Sequence, residues 1–599
     1  MKNRKIRNFI SVLVLIFVIL GTSKSSIANI KTNNGAKAQI LGETLNILNE
    51  WENLSDEEKN KTIQPYLYST KIDNEEIDKV NSDTLELGNS ELPVSYVLDT
   101  DIDYRIKNQM STQECWAFAT TSMLETNVAK TKNEDIELSP RHIDYATSRT
   151  FLDGTNTKGF NRELGMGNYN ISLAYCTNGQ GPVLESDMPF EDNENKVNLR
   201  DIEKKTVLKV NDYVSFANVY KKYNSYGAVR YTDGGDEVYT REQVLKVRNE
   251  IKNHIMNYGA VSAHTYLSND LNNYISQTSG IVAYYNHDNT KKINHGICII
   301  GWNDQFPKEY FKDQPSNDGA YLVLNSANGN IAELSIYAIS YEDEWIEFAN
   351  FGIIDTSEIN YDNIYQYDEY GASVHFDLKD NYDNKVQSGY ISNVFNRQKK
   401  YSKDEYLNEI SINIARTSNV EIYINPKDDN KNNLTKVKTV GTLKPGYHTI
   451  KLSEPIKLTG TKFVVAAKLS SDYVEVATET NTNTNGLGSS YWDYATSNKG
   501  ESFISIDGIN WSDLNDLLLD SNICIKAFST ENEKDYMVGD VNLDGRISLI
   551  DLSLINQKMI GKTILTANQL KAADINEDGR ISLIDLSLVN QAMIGKIVL

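Results

Sequence analysis

Residues Gly539 through Asp551 recur as Ala573 through Asp585, a repeat of 34 residues that fixes the local fold more tightly than any other stretch of the chain. Each copy puts Asp, Asn and Asp at loop positions 1, 3 and 5, a glycine at 6 and a carboxylate at 12. Hard oxygen ligands around a sharp turn are what Ca2+ requires. The ligands are read as Asp540, Asn542, Asp544, Arg546, Ser548 and Asp551 in the first loop, and Asp574, Asn576, Asp578, Arg580, Ser582 and Asp585 in the second, one ion to each. The segments after each loop, beginning at Leu549 and Leu583, continue as helices, so residues 537–599 are expected to form a small all-α calcium-binding unit. Leu549 with Ile550, and Leu583 with Ile584, put an apolar pair on each helix that needs a partner surface.

At 599 residues the chain is too long for one core, and roughly three to five domains are expected. Lys2, Arg4, Lys5 and Arg7 precede an apolar run from Phe9 to Leu20 and small polar residues up to Ala28. That is the pattern of a secretory signal over residues 1–28, its apolar run too short to span a bilayer. The mature protein is therefore expected to be exported, with no membrane anchor. A net charge of -22 argues against a nucleic-acid partner, since no concentrated basic face offsets phosphate repulsion. Cys115, Cys176, Cys298 and Cys524 are scattered without CxxC spacing, which excludes a disulfide framework.

Chemistry gathers around Cys115. Trp116, Phe118, Ala119, Met123, Leu124 and Val128 recur at helical spacing through Lys130, so Cys115 falls in a helix's first turn. Unsatisfied N–H groups there favour thiolate over thiol. Taken alone, the same residue also reads as a packed core cysteine. A nucleophilic thiolate needs a base that can return a proton to the leaving amine. Among seven histidines, His295 stands apart, opening the apolar run Ile297–Ile300 beside Gly296; Gly319 through Ser326 reads as a second strand ending in Asn325.

These residues resemble the papain-like cysteine peptidases. Asn108, Gln109, Cys115, Trp116, Ala117 and Phe118 match the family's nucleophile motif; His295, Gly296, Gly301 and Trp302 its histidine strand; Asn325 and Ser326 part of its Asn-Ser-Trp. Leu92–Tyr96 resembles the start of the mature enzyme, and Gly179–Phe190 a further bacterial segment. The resemblance implies an α+β peptidase over 92–352, with a helical lobe and a β-barrel-like lobe, acting on protein or peptide substrates. It implies Cys115 as nucleophile, His295 as its acid–base partner, Asn325 as orienter and Gln109 as oxyanion donor. Residues 29–91, with a short helix at Ile40–Trp51, would be a pro-region. The family's glycine before the nucleophile is Gln113, its disulfide cysteine Thr112 and its tryptophan Ala327, while Glu114 sets a carboxyl beside the thiol. The resemblance further places His264 on a polar S2 wall, with a surface histidine as the competing reading, and Gly167 in a backbone rim that pairs with substrate. Val210–Arg241 and Asp304–Asp318, rich in Asn, Asp, Tyr and Gly, are expected to be surface loops.

From Tyr361 to Phe528 apolar residues alternate, as in Ile410, Ile412, Ile414 and Val420, Ile422, Ile424, with turn residues between the runs. Residues 353–528 therefore read as a β-sandwich. In this position it resembles the lectin-like domain of bacterial surface peptidases, which brings carbohydrate as a ligand class; Tyr491–Tyr494 would be the aromatic cluster, with core packing as the competing reading. Beyond a linker at 529–536, Asp in place of Glu at loop position 12 and the absence of a first helix make 537–599 resemble a type I dockerin. Its partner would be a cohesin on a scaffold protein, met by Leu549, Ile550, Leu583 and Ile584. Two readings follow: a secreted cysteine endopeptidase docked on an extracellular cellulosome, or a peptidase-like binding or structural component that has lost catalysis. Gln113, Glu114 and Ala327 favour the second; Gln109, Cys115, His295 and Asn325 favour the first.

Overall fold

The computed structural model describes residues 92–99, 105–148, 159–160, 162, 164–190, 206–223, 229–232, 238–268, 282–288, 290–326, 335–397, 400, 402–481, 495–534 and 536–599. The signal and pro-region, the Ile40–Trp51 helix, Ala327 and the Tyr491–Tyr494 cluster lie outside them. Among the described residues no helix is long and apolar enough to cross a membrane, and all four cysteines are free and buried.

The Cys115–Lys132 helix is the axis of the first half. Every residue from Cys115 to Val128 is buried, so it is wrapped on all sides rather than amphipathic. Its buried hydroxyls are satisfied by backbonding: Thr120 donates to Trp116 O, Thr121 to Phe118 O and Thr126 to Met123 O. Asn133, left-handed at φ 54°, ends it. The helices Pro140–Ala146 and Tyr169–Thr177 pack on one side. On the other, antiparallel strands run in the order Ile336–Ser340, Ala320–Leu324, His295–Asn303, Val261–Thr265, Phe351–Ser357 and Lys209–Ser215.

The expectation of a surface loop at Val210–Arg241 is corrected: Val210, Tyr213, Val214, Phe216 and Val219 are buried, and Lys209–Ser215 is a strand paired with Phe351–Ser357. Its polar residues misled because their partners are remote: Asn211 donates to Asp355 and Asp212 meets His448. Asp304–Asp318 is likewise not wholly superficial, since Phe306 and Phe311 anchor a small satellite core.

The sheet does not stop at the first half. Lys209–Ser215 also pairs with Gly446–Leu458 of the second half, in the register Val214 to Gly446, Tyr213 to Tyr447 and Asp212 to His448. From there it runs through Lys403–Ile414 and Ile525–Glu533 to Asn363–Tyr365. A second, six-stranded sheet centred on Lys462–Ser470 covers it, and Ile391, Ile410, Ile412, Val420, Phe463 and Val476 fill the sandwich between. The last sixty residues have their own core around Val541, Ile555, Ile575 and Val589. There the helices Leu549–Met559 and Leu583–Met593 start at Ser548 and Ser582, each in a capping box closed by Asp551 or Asp585.

Candidate active site

Cys115, the first residue of its helix, faces His295, the first residue of its strand. Asn325 directly follows the last residue of the neighbouring strand and is anchored there by its own N–H to Ser335 O at 2.9 Å. Three element ends thus converge. His295 Nε2 donates to Asn325 Oδ1 at 2.6 Å, which leaves Nδ1 for the thiol, and Gly296 N–H points at Cys115 Sγ at 3.4 Å. A Cβ on Gly296 would lie 2.9 Å from Tyr169 Oη and 3.4 Å from Trp116 Cα, so only glycine lets the strand approach the helix this closely.

Electrostatics matches the geometry. Burial alone would raise the Cys115 pKa, but the imidazolium charge of His295, its hydrogen bond and the N–H groups of Gly296 and Trp116 bring it below the ordinary thiol value. Burial likewise depresses His295, and the thiolate charge with hydrogen bonds to Cys115 and Asn325 reverses this, holding the imidazole above its usual value. The two shifts stabilise one proton distribution, a thiolate beside an imidazolium. By contrast Cys176 and Cys298 are pushed far upward by burial and stay inert thiols.

The kcat/KM of peptide cleavage is therefore expected to follow a broad bell. Its acid limb, loss of the thiolate, falls below the ordinary thiol value of about 8.5, and its alkaline limb, loss of the imidazolium, above about 6.5; both limbs belong to the pair. Asn325→Ala removes a bond that favours the imidazolium, so its alkaline limb should move to lower pH. An unmoved limb would count against this arrangement.

Glu114 does not oppose the thiolate as its position suggests. Burial, with the nearby charge of Asp144, outweighs Arg141 and Arg162 and pushes its carboxyl up to about 8, so it is largely uncharged at neutral pH. Gln113 is exposed. The Gln109 amide is held at both ends: Nε2 donates to Thr112 O at 2.7 Å, and Oε1 accepts from Ser326 Oγ at 2.5 Å. An amide nitrogen carries two hydrogens, and the bond to Thr112 O uses one of them. Sequence reasoning matched Ser326 to a motif without giving it a role, and it missed Tyr169, for which no local pattern pointed the way. A narrow cleft beside Asn325 is lined by Phe118 and Ser122 of the helix and by Gly296, Leu324 and Ser326.

Substrate binding is expected of Gly167 and His264. Gly167 lies against Trp116, where a Cβ would approach Cε2 to 2.3 Å. The structure does not bring His264 to an open wall: it is 2% exposed, its ring centroid 4.8 Å from that of Tyr169, with Nδ1 donating to Phe348 O at 3.2 Å. Burial drives its pKa down to about 4, keeping it neutral. It is a core histidine, because its strand is covered by the Tyr169 helix on the face where a pocket was expected.

Family models match in three places: a papain family cysteine protease over residues 101–316, a lectin like domain over 364–529 and a dockerin type I domain over 538–594. The chain contains a papain-family cysteine protease domain, a lectin-like domain and a type I dockerin, in that order. Among solved structures, the cysteine protease and lectin-like domains of Cwp84, a surface layer associated protein of Clostridium difficile, match at TM-score 0.63 and 20% identity, covering 84% of this chain and 99% of that one. A variant of the clostridial cysteine protease Cwp84 after propeptide cleavage matches at 0.57 and 21% identity, covering 72% and 97%. At these identities the likeness is one of fold. The peptidase match ends short of Asn325, so that residue rests on its geometry and on the Asn-Ser pair of the sequence.

In the dockerin, Gly545 and Gly579 turn each loop at φ 84° and 78°. Asp540 accepts the N–H groups of Asp544 and Gly545, and Asp551 those of Asn542 and Ser548; Asp574 and Asp585 repeat the pattern. Among the described residues no three His, Cys, Asp or Glu side chains already stand in metal-binding geometry, since the loop carboxylates are turned to loop N–H groups. Burial and the charges of Asp585 and Asp578 hold Asp574 above the usual carboxylate range, and a cation would relieve that repulsion. Leu549, Ile550, Leu583 and Ile584 are 73, 57, 69 and 57% exposed.

Proposed function

We propose that this peptidase is an exported endopeptidase that hydrolyses peptide bonds through Cys115, His295 and Asn325, and that its dockerin attaches it to a cohesin-bearing extracellular scaffold, as in a cellulosome. The observation that carries the reading is the hydrogen-bonded line from Asn325 through His295 to Cys115. In this mechanism the Cys115 thiolate attacks the scissile carbonyl, and Gln109 with the Cys115 N–H stabilises the oxyanion, each such donor contributing on the order of 100- to 1000-fold in rate. The His295 imidazolium protonates the leaving amine. The resulting neutral imidazole then takes a proton from water as it attacks the thioester, and Asn325 keeps the ring aligned throughout. The near-neutral Glu114 weighs against the reading of lost catalysis. An epoxide thiol inhibitor should form an adduct on Cys115 and stop casein cleavage; neither effect in a folded chain would support the rival.

In the dockerin the two loops would hold one Ca2+ each through Asp540, Asn542, Asp544 and Asp551, and through Asp574, Asn576, Asp578 and Asp585. The ions would fix both helix starts. In excess chelator, amide protection of Leu549–Met559 and Leu583–Met593 is expected to collapse in the intact chain while that of Cys115–Lys132 stays, as followed by hydrogen exchange. Unchanged protection would speak against calcium-dependent folding. The exposed apolar pairs support a cohesin as partner, met on either helix.

A further inference from the structure

We propose that Asp144 and Arg162 are a positioning pair, holding the Gly165–Asn168 turn as the wall on which substrate residues ahead of the scissile bond lie. This deepens the peptidase reading above and rests on it. The turn runs beside the nucleophile. A Cβ on Gly165 would be 3.5 Å from Gln113 Cβ, and one on Gly167 would be 2.3 Å from Trp116 Cε2, so the turn flanks Cys115 on both sides in sequence.

Groups from separate elements grip it. Arg162 Nη1 donates to Asp144 Oδ1 at 2.6 Å and to Met166 O at 2.7 Å. Its Nη2 donates to Thr147 Oγ1 at 2.6 Å and to Asp144 O. Asp144, on the Pro140–Ala146 helix, accepts the Gly165 N–H on both carboxylate oxygens at 3.0 Å. Trp116 Nε1 donates to Gly165 O at 2.9 Å, and the guanidinium lies 4.8 Å from the Trp116 ring centroid. The turn is thus tied to the helix that carries the nucleophile as well as to the ion pair.

The pair's burial makes a role in stability alone a poor account of it. The two side chains are 0 and 1% exposed, and apolar residues of like volume hold such sites as well or better. What they would not supply is a planar fork reaching a carboxylate and a main-chain carbonyl together. With all four cysteines free, no disulfide pins this turn. None of these bonds touches Cys115, His295 or Asn325, so loosening the turn should weaken substrate binding and leave the thiol as reactive as before.

The test uses the full chain, a fluorogenic peptide with four residues ahead of the scissile bond, and iodoacetamide as a probe of the thiol. Arg162→Met is expected to raise KM about 10-fold or more with kcat changed less than about 3-fold. Iodoacetamide alkylation of Cys115, and its pH profile, should stay within about 2-fold of wild type. Arg162→Lys keeps the charge but not the fork and should fall between. Gly167→Ala, pressing the turn off Trp116, should raise KM without touching the pair. If Arg162→Met does not fold, Arg162→Lys and Gly167→Ala decide. Unchanged KM in the folded variants, or alkylation falling in step with kcat/KM, overturns this proposal alone. Absence of wild-type cleavage overturns the peptidase reading, and this proposal with it.

Discussion

Cys115→Ser is expected to lower kcat/KM for peptide cleavage on the order of 10⁴-fold or more while leaving the fold intact. The replacement keeps a small buried group that can hydrogen-bond His295, so packing at this 5% exposed position changes little. What disappears is the ground-state ion pair. A hydroxyl does not ionise near neutral pH, so the charge that raises the His295 pKa is lost along with the nucleophile. Two measurements separate this from a folding defect: the melting temperature should move by less than about 2 °C, and iodoacetamide should no longer label the catalytic helix. Residual cleavage within about 10-fold of wild type would place the nucleophile elsewhere.

Glu409→Ala should be among the most destabilising single changes outside the active site, costing about 3–5 kcal/mol against a typical total of about 5–15. Glu409 sits at a bulge in the Lys403–Ile414 strand, where the register shifts between Leu407 and Glu409. It reaches across the domain boundary to Lys209 in an ion pair whose side chains are 5 and 11% exposed. The Lys209 ammonium also lies 3.9 Å from the Phe528 ring centroid, and burial already holds its pKa down despite Glu409. Removing the carboxylate leaves that ammonium with no equivalent partner. Urea unfolding gives the cost, and the double replacement Lys209→Met with Glu409→Leu should recover most of it, since apolar partners suit such a site. A loss under about 1 kcal/mol would show the pair to be dispensable. Calorimetry should find the peptidase and the sandwich melting in one transition, because their strands form one ladder.

What could be read from the chain followed how local its physics is. The ligands expected for each calcium lie within one twelve-residue loop, so spacing alone singles them out. Cys115, His295 and Asn325 are far apart, yet each marks the end of an element whose pattern is local, and their order completed the set. Asp144 and Arg162 carry no such mark: a buried ion pair is defined by what encloses it. His264 was misplaced for the same reason, its environment being made by Tyr169 and Phe348. The strand at Lys209–Ser215 was hidden because its polar residues looked solvated, when Asp212 is matched to His448, which lies in the other domain at a sequence distance of 236.

The shared ladder bears on how such a chain can be rebuilt by recombination. A cut between the peptidase and the lectin-like half would strip Tyr213 and Asp212 of their strand partners and leave two raw sheet edges. A cut ahead of Tyr536 severs far less, since the dockerin has its own core and meets the sandwich through polar contacts such as the Lys534–Glu577 ion pair rather than through a shared strand. The module that recombination can exchange most freely is therefore the dockerin, while the protease domain and its sandwich are tied together by one sheet.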